Sequence, residues 1–352
     1  MKRLVGIFLL SLLLGCGGLY LATRESIFSP ATYAAIRPRT DMAVAAVLSL
    51  LLLWAAPVVK LQALLRAQGH RIGAWDAFTA HVGQVFGTAM TPSGTGGAPG
   101  LVLALERSGV PLGTSVGIAV QLFVLDLSAL GALIPVGLLY IVAVSPLALP
   151  PLVTALAIGA AVLALAGAVV LARFPAALYS LMRRASRWRA LRRFRERLAR
   201  LGREYYVSAV AFRDLPLTTF AYLHAANVAA WLANFTLLWA LIALYGAQAR
   251  LLDVLSVLSI ISLVGFFVPT PGASGFTELM VGLVVDSSAD AASIAAPVAL
   301  WRAGTFYVAY LLGPLCAWLL LSRRPPRWLR RRARRGAAAD ASDPAVSRTP
   351  RP

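Results

Sequence analysis

The chain has 352 residues, of which 59% are hydrophobic and only 13% charged, and its mean hydropathy is +0.76. That balance excludes a disordered chain and a soluble enzyme core, and puts the protein in the membrane class. The formal net charge of +19 is gathered in blocks beside apolar stretches, so membrane phospholipids with anionic headgroups are the expected partners rather than nucleic acid.

In chain order, Met1-Lys2-Arg3 and the apolar run behind it have the make-up of a signal peptide. Further apolar stretches follow, so residues 4–22 are read as the first span. About 20 residues rising about 1.5 Å each cross a hydrocarbon core of about 30 Å. Residues 42–59 form the second span. Lys60, Arg66 and Arg71 then read as a basic loop which, with Lys2 and Arg3, belongs on the cytoplasmic side. Cys16 and Cys316 lie in apolar segments near opposite chain ends and read as small buried residues, not as a disulfide.

Residues 75–89 are moderately apolar and carry Asp76, His81 and Gln84. They lead into Met90-Thr91-Pro92-Ser93-Gly94-Thr95-Gly96-Gly97-Ala98-Pro99-Gly100, where proline and glycine interrupt any helix. Only a short apolar run follows before Glu106 and Arg107. The two flanks suit a re-entrant hairpin, because broken backbone at membrane depth must be buried in protein or line a wet cavity. Spans are then predicted over 114–140, which holds Gln121 and Asp126, and over 145–171.

Twelve arginines fall between 173 and 213. Apolar residues recur there every three or four positions, from Trp188 through Leu198 and Leu201 to Tyr205. An interfacial amphipathic helix over about 181–205 is expected, its arginines facing anionic headgroups. The next span, 216–245, places Asn227, Trp231 and Asn234 on one face, either to join helices or to line a lumen.

The second break is Val268-Pro269-Thr270-Pro271-Gly272-Ala273-Ser274-Gly275-Phe276-Thr277-Glu278. Thr270-Pro271 matches Thr91-Pro92, and Gly275 matches Gly96. The last span, 294–321, carries Arg302. Ten more arginines follow from 323, before an end expected to be disordered over the rest of the 322–352 tail.

Putting both arginine blocks inside fixes the parity. The expected fold is an all-α polytopic membrane domain over 1–321, with about six full spans and two oppositely oriented re-entrant hairpins. That is the arrangement of inverted repeats. Both termini are cytoplasmic, in the cell membrane. Counting each hairpin as two full spans satisfies parity too, with the breaks as loops.

No metal-ligand spacing, phosphate loop or nucleophile elbow is present, so no enzyme, metal or cofactor is expected. The candidate substrate-binding residues are Thr91, Pro92, Gly96, Gly97, Asp126, Asn227, Thr270, Pro271, Gly272, Ser274, Gly275, Glu278 and Arg302. Half-helix N-termini and glycines suit an anion, and intramembrane charges are paired or functional. Glu278 and Arg302 are read either as an ion pair or as partners of a lipid headgroup, amine to carboxylate and phosphate to guanidinium. Asp126 is also a candidate proton-coupling carboxylate.

The run from Pro269 to Glu278, followed by Trp301-Arg302 and Tyr307, resembles the lysylphosphatidylglycerol synthase transmembrane-region family. Leu64-Leu65-Arg66 with Gly69 also resembles that family's connection after its second helix. Ala273 and Phe276 depart from the family pattern, which has a second glycine and a small residue there. Bifunctional members append a soluble domain that transfers lysine from tRNA to phosphatidylglycerol, for which this chain is expected to have no room. The resemblance therefore implies the membrane part alone: translocation or binding of a phospholipid or lipid-linked anionic or aminoacylated substrate. An ion-coupled small-solute transporter and a non-transporting lipid-binding scaffold are the alternatives.

Overall fold

The computed structural model describes residues 39–91, 94–147, 149, 151–185, 194–266, 268, 276–281 and 291–323. The proposed first span, the element 269–275 and the tail beyond 323 lie outside the described residues. Every regular element among those described is helical: α1 (Thr40–Ala67), α2 (Ala74–Met90), α3 (Gly97–Arg107), α4 (Leu112–Ala143), α5 (Pro151–Arg173), α6 (Pro175–Ala185), α7 (Arg195–Arg213), α8 (Leu217–Leu244), α9 (Leu251–Gly265), α10 (Phe276–Val281), α11 (Ala291–Arg302), a π-turn (Ala303–Tyr307) and α12 (Val308–Arg323).

Four of these, α1, α4, α5 and α8, are long and apolar enough to cross a membrane. Their outward faces are apolar, as at Val47, Leu51, Val136, Leu139, Leu156 and Val162. In water such a surface would be a liability, whereas in hydrocarbon it costs nothing. The π-turn joins α11 to α12 without a break, making a further long helix from Ala291 to Arg323. A multi-span all-α membrane protein is thus what these residues build.

α1 packs along α8, and α4 pairs with α5. The apolar interior falls into two clusters. One gathers the second half of α4 with α5, α8 and α9, through Leu130, Ile134, Ala161, Phe235 and Leu258. The other gathers the first half of α4 with α1, α2 and α3, through Leu64, Leu65, Ala80, Leu105 and Leu125. α4 runs through both, and Asp126 lies near its middle, at the border between them.

Two elements differ from expectation. Lys60 and Arg66 are not in a loop: α1 continues past Pro57 to Ala67, and Lys60 is buried. The cause is a polar partner on α8, described below, which keeps the helix wound beyond the apolar run. The single helix expected over 181–205 is two helices, with 186–193 outside the described residues. The rings of Tyr179 and Tyr206 lie 5.4 Å apart. In one continuous helix they would stand about 40 Å apart, so the chain folds back between α6 and α7.

The apolar stripe of α7 continues from Tyr205 through Ala209 to Phe212 and is buried against protein. Glu204 accepts from the backbone N–H of Gly113 at 2.9 Å, in the first turn of α4, where a carboxylate favours the helix dipole. One turn on along both helices Gly117 faces Ser208, and a turn further along α4 Gln121 donates to the same Ser208, with Gln68 closing a ring at 2.6 Å to each. These contacts rise in step, so α7 stands beside α4 and runs in the same direction.

Candidate functional site

Between the two apolar clusters lies a cavity of about 360 Å³. α1 supplies Lys60, α2 supplies His81 and Gln84, α4 supplies Asp126, α8 supplies Asn227, Trp231 and Asn234, and α11 supplies Trp301 and Arg302. Lys60 Nζ donates to Asn227 Oδ1, and Asn227 Nδ2 donates to the Leu125 carbonyl at 2.9 Å. The amide therefore bridges α1, α4 and α8. Trp231 Nε1 donates to Asp126 Oδ1 at 3.2 Å. Trp301 Nε1 donates to Asn234 Oδ1 at 2.9 Å. Asn227, Trp231 and Asn234 thus both join helices and line the cavity, because one helix face does both.

Burying ions is costly unless partners and fields compensate. Lys60, His81 and Asp126 line the same cavity, with Lys60 held by the Asn227 amide. The guanidinium of Arg302, only 8% exposed, sits 5.2 Å from the centre of the Trp301 ring and 5.7 Å from that of Phe306, so it faces two π-systems. Lys60 and Arg302 give the cavity two cations, and Asp126 gives it a carboxylate. That set can hold an anion and an amine at once. Among the described residues no group of His, Cys, Asp and Glu gathers to hold a metal ion.

The first break forms a close helix pair. α2 and α3 have 17 and 11 residues, about 25 and 16 Å at the α-helical rise, each short of a full crossing. Gly83 and Gly87 face Gly100, Gly96 and Gly97 in antiparallel order. A Cβ on Gly87 would stand 2.1 Å from the Gly96 carbonyl oxygen, and one on Gly100 2.1 Å from that of Gly83. Thr91 Oγ1 donates to the Gly87 carbonyl at 2.9 Å and accepts from Gly96 N–H at 2.7 Å, which locks the turn. Gly94 takes a positive φ of 66° there. From the last helix, Tyr310 donates its hydroxyl to the Ala89 carbonyl at 2.7 Å.

A family model described as the lysylphosphatidylglycerol synthase TM region matches residues 4–313. The chain belongs to that family. No curated protein and no solved structure matches the chain. The match is to the membrane portion of the synthase, not to a catalytic domain, and it supports a role in membrane translocation or binding.

Within this family member, Asp126, Asn227 and Arg302 are brought to one cavity. Thr91, Gly96 and Gly97 are placed in the turn of the α2–α3 pair; they do not line the Lys60 cavity, though Gly94 of the same turn does, and Gly97 is on the wall of a neighbouring cavity. Pro92, Thr270, Pro271, Gly272, Ser274 and Gly275 lie outside the described residues, as does the side chain of Glu278, whose backbone belongs to α10. Lys60 and His81 were not among the sequence candidates. The signal for Lys60 was a lone lysine one helical turn beyond Pro57, on the face that Leu53, Pro57, Leu61 and Leu64 share.

Proposed function

We propose that this chain binds a phospholipid, or another lipid-linked anionic or aminoacylated substrate, by its headgroup and carries it across the cytoplasmic membrane. The observation that carries this reading is that Lys60, Arg302 and Asp126 line one cavity between two apolar clusters. A phosphate meets the cations, with the guanidinium offering a planar fork. An amine meets Asp126 and the rings of Trp231 and Trp301. Glu278, next in sequence to the cavity-lining Thr277, is proposed as a second carboxylate for the amine.

In this reading α2 and α3 form a re-entrant hairpin, matched by an opposed hairpin around the second break. Thr91, Pro92, Gly96 and Gly97 in the first, with Thr270, Pro271, Gly272, Ser274 and Gly275 in the second, shape the headgroup path. The arginines of 173–213 rest on anionic headgroups of the inner leaflet, with both termini cytoplasmic. An ion-coupled transporter of a small solute is the second reading, favoured by the titratable set Lys60, His81 and Asp126 around one cavity.

The test is lipid movement in reconstituted vesicles, across chain-labelled phosphatidylglycerol, phosphatidylethanolamine and lysyl-phosphatidylglycerol. Movement above protein-free vesicles, lost in Lys60→Met and in the double variant Glu278→Gln/Arg302→Gln, supports the headgroup role. No protein-dependent movement of any of the three sinks the proposal. Unchanged rates in both variants sink the assigned residues.

A further inference from the structure

A second cavity, of about 440 Å³, adjoins the polar one. Gln84, Thr88, Gly94, Asp126 and Phe266 line both. From that shared wall the second cavity runs between α3, α4 and α5, past Leu101, Leu127, Ala160, Ala164 and Leu263. Its outer residues are Phe123 and Leu163, 43% and 69% exposed on the surface that faces lipid. The space exists because α5 presents alanines here: Ala160 and Ala164 stop at Cβ, where leucine would fill the gap. Phe266 at the junction and Phe123 at the mouth meet edge to face, their centres 5.9 Å apart, and form one apolar wall.

The side chains change in kind along this path. Lys60 and Arg302 lie in the first cavity only, Asp126, the amide of Gln84 and the hydroxyl of Thr88 at the junction, and, apart from Thr95 in the α2–α3 turn, the side chains beyond are aliphatic and aromatic. An amphiphile has the same order: charged head, ester-bearing glycerol, hydrocarbon. Between Leu101, Leu127, Ala160 and Leu263 the side chains offer water no hydrogen-bond partner. One that opens on the hydrocarbon face has acyl chains as its surrounding solvent. We infer that this cavity is a binding site for an acyl chain of the same lipid whose headgroup occupies the polar cavity. It rests on the proposed headgroup reading, and it deepens it: recognition extends to the hydrocarbon, so a free solute bearing the same headgroup is a poor ligand.

The test uses the full-length protein in nanodiscs with phosphatidylglycerol that carries a diazirine in one acyl chain, followed by mass-spectrometric mapping of labelled residues. The expected result is labelling at the enclosed residues Leu101, Leu127 and Leu263, lost in Ala160→Trp, while labelling by surrounding lipid at exposed Leu156 persists in both proteins. Labelling confined to Leu156 and Leu139 in the wild-type protein overturns the chain site, whether or not any variant folds. Retained inner labelling in a folded Ala160→Trp protein overturns it too. The headgroup reading fails separately. If Lys60→Met moves lipid at the wild-type rate while Leu101 and Leu263 are still labelled, the chain site stands and the headgroup assignment falls. If movement needs Lys60 but the inner residues stay unlabelled, only the chain site falls.

Discussion

The hydroxyl of Tyr310 on α12 donates to the carbonyl of Ala89 at the end of α2, across 221 positions of sequence, at 2.7 Å. The last four carbonyls of a helix have no intrahelical partner. Here a distant helix supplies one, and the Phe86 ring packs against Tyr310 beside it, their centres 6.2 Å apart. Tyr310→Phe keeps the ring and removes the donor. It is expected to cost about 1–3 kcal/mol, the penalty for a buried unsatisfied acceptor. Thermal unfolding in detergent should show a lower midpoint, and hydrogen exchange should rise first at the end of α2.

Gly87 is a sharper probe of the same hairpin. Alanine there places a methyl 2.1 Å from a backbone oxygen that has little freedom to move. The overpacking cost of about 1–3 kcal/mol exceeds the helix-propensity gain of about 1 kcal/mol from glycine to alanine. Gly159, with nothing within 4 Å of an added Cβ, is the control. Gly87→Ala should lower the unfolding midpoint and Gly159→Ala should not.

Asn227 satisfies a buried cation and a buried carbonyl at once. Asn227→Leu is expected to destabilise by about 1–3 kcal/mol, the penalty for leaving buried polar groups without their partner. Adding Lys60→Met should recover a large part of that loss, because the stranded cation goes with its partner. A double-mutant cycle on unfolding in a mild detergent checks this. Additive losses would show that Lys60 has other support.

Glu204 ties α7 to the start of α4. Glu204→Ala leaves the Gly113 N–H without its charged acceptor, at a cost of about 1.5–3 kcal/mol. Exchange at Gly113 and Thr114 should speed up, while the cavity around Asp126, about 20 Å further along α4 by helical rise, keeps its protection. Equal loosening at both places would mean that α7 also holds the cavity together.

Spans were legible in the sequence because length and apolarity are local properties. α4, α5 and α8 match expectation to within a few residues at most ends. Lys60 has the sequence signature of a loop residue because a basic residue after an apolar run is the positive-inside signal. The opposing information, an amide on α8 facing it, sits 167 positions away. Arginines dominate the 173–213 block, but the docked face of α7 is written in Glu204, Ser208 and Phe212, whose partners are on α4, on α8 and at Gln68 just after α1. The glycines of the first break carry two meanings in sequence, a close approach to an anion or to another helix. Backbone distances across α2 and α3 show the second, and only a folded pair reveals it.

The π-turn at Ala303–Tyr307 has a consequence for how this helix can vary. It widens one turn, and Trp54 donates to the Gly304 carbonyl there at 3.1 Å. A residue beyond that of the regular helix is thereby absorbed, and each helical residue turns the chain by about 100°. Upstream, Trp301 and Arg302 are phased to the cavity; downstream, Tyr310 and Gly313 are phased to α2. Deleting one residue within the turn would rotate one set out of phase with the other, so this segment should tolerate exchange of side chains far better than any change in its length.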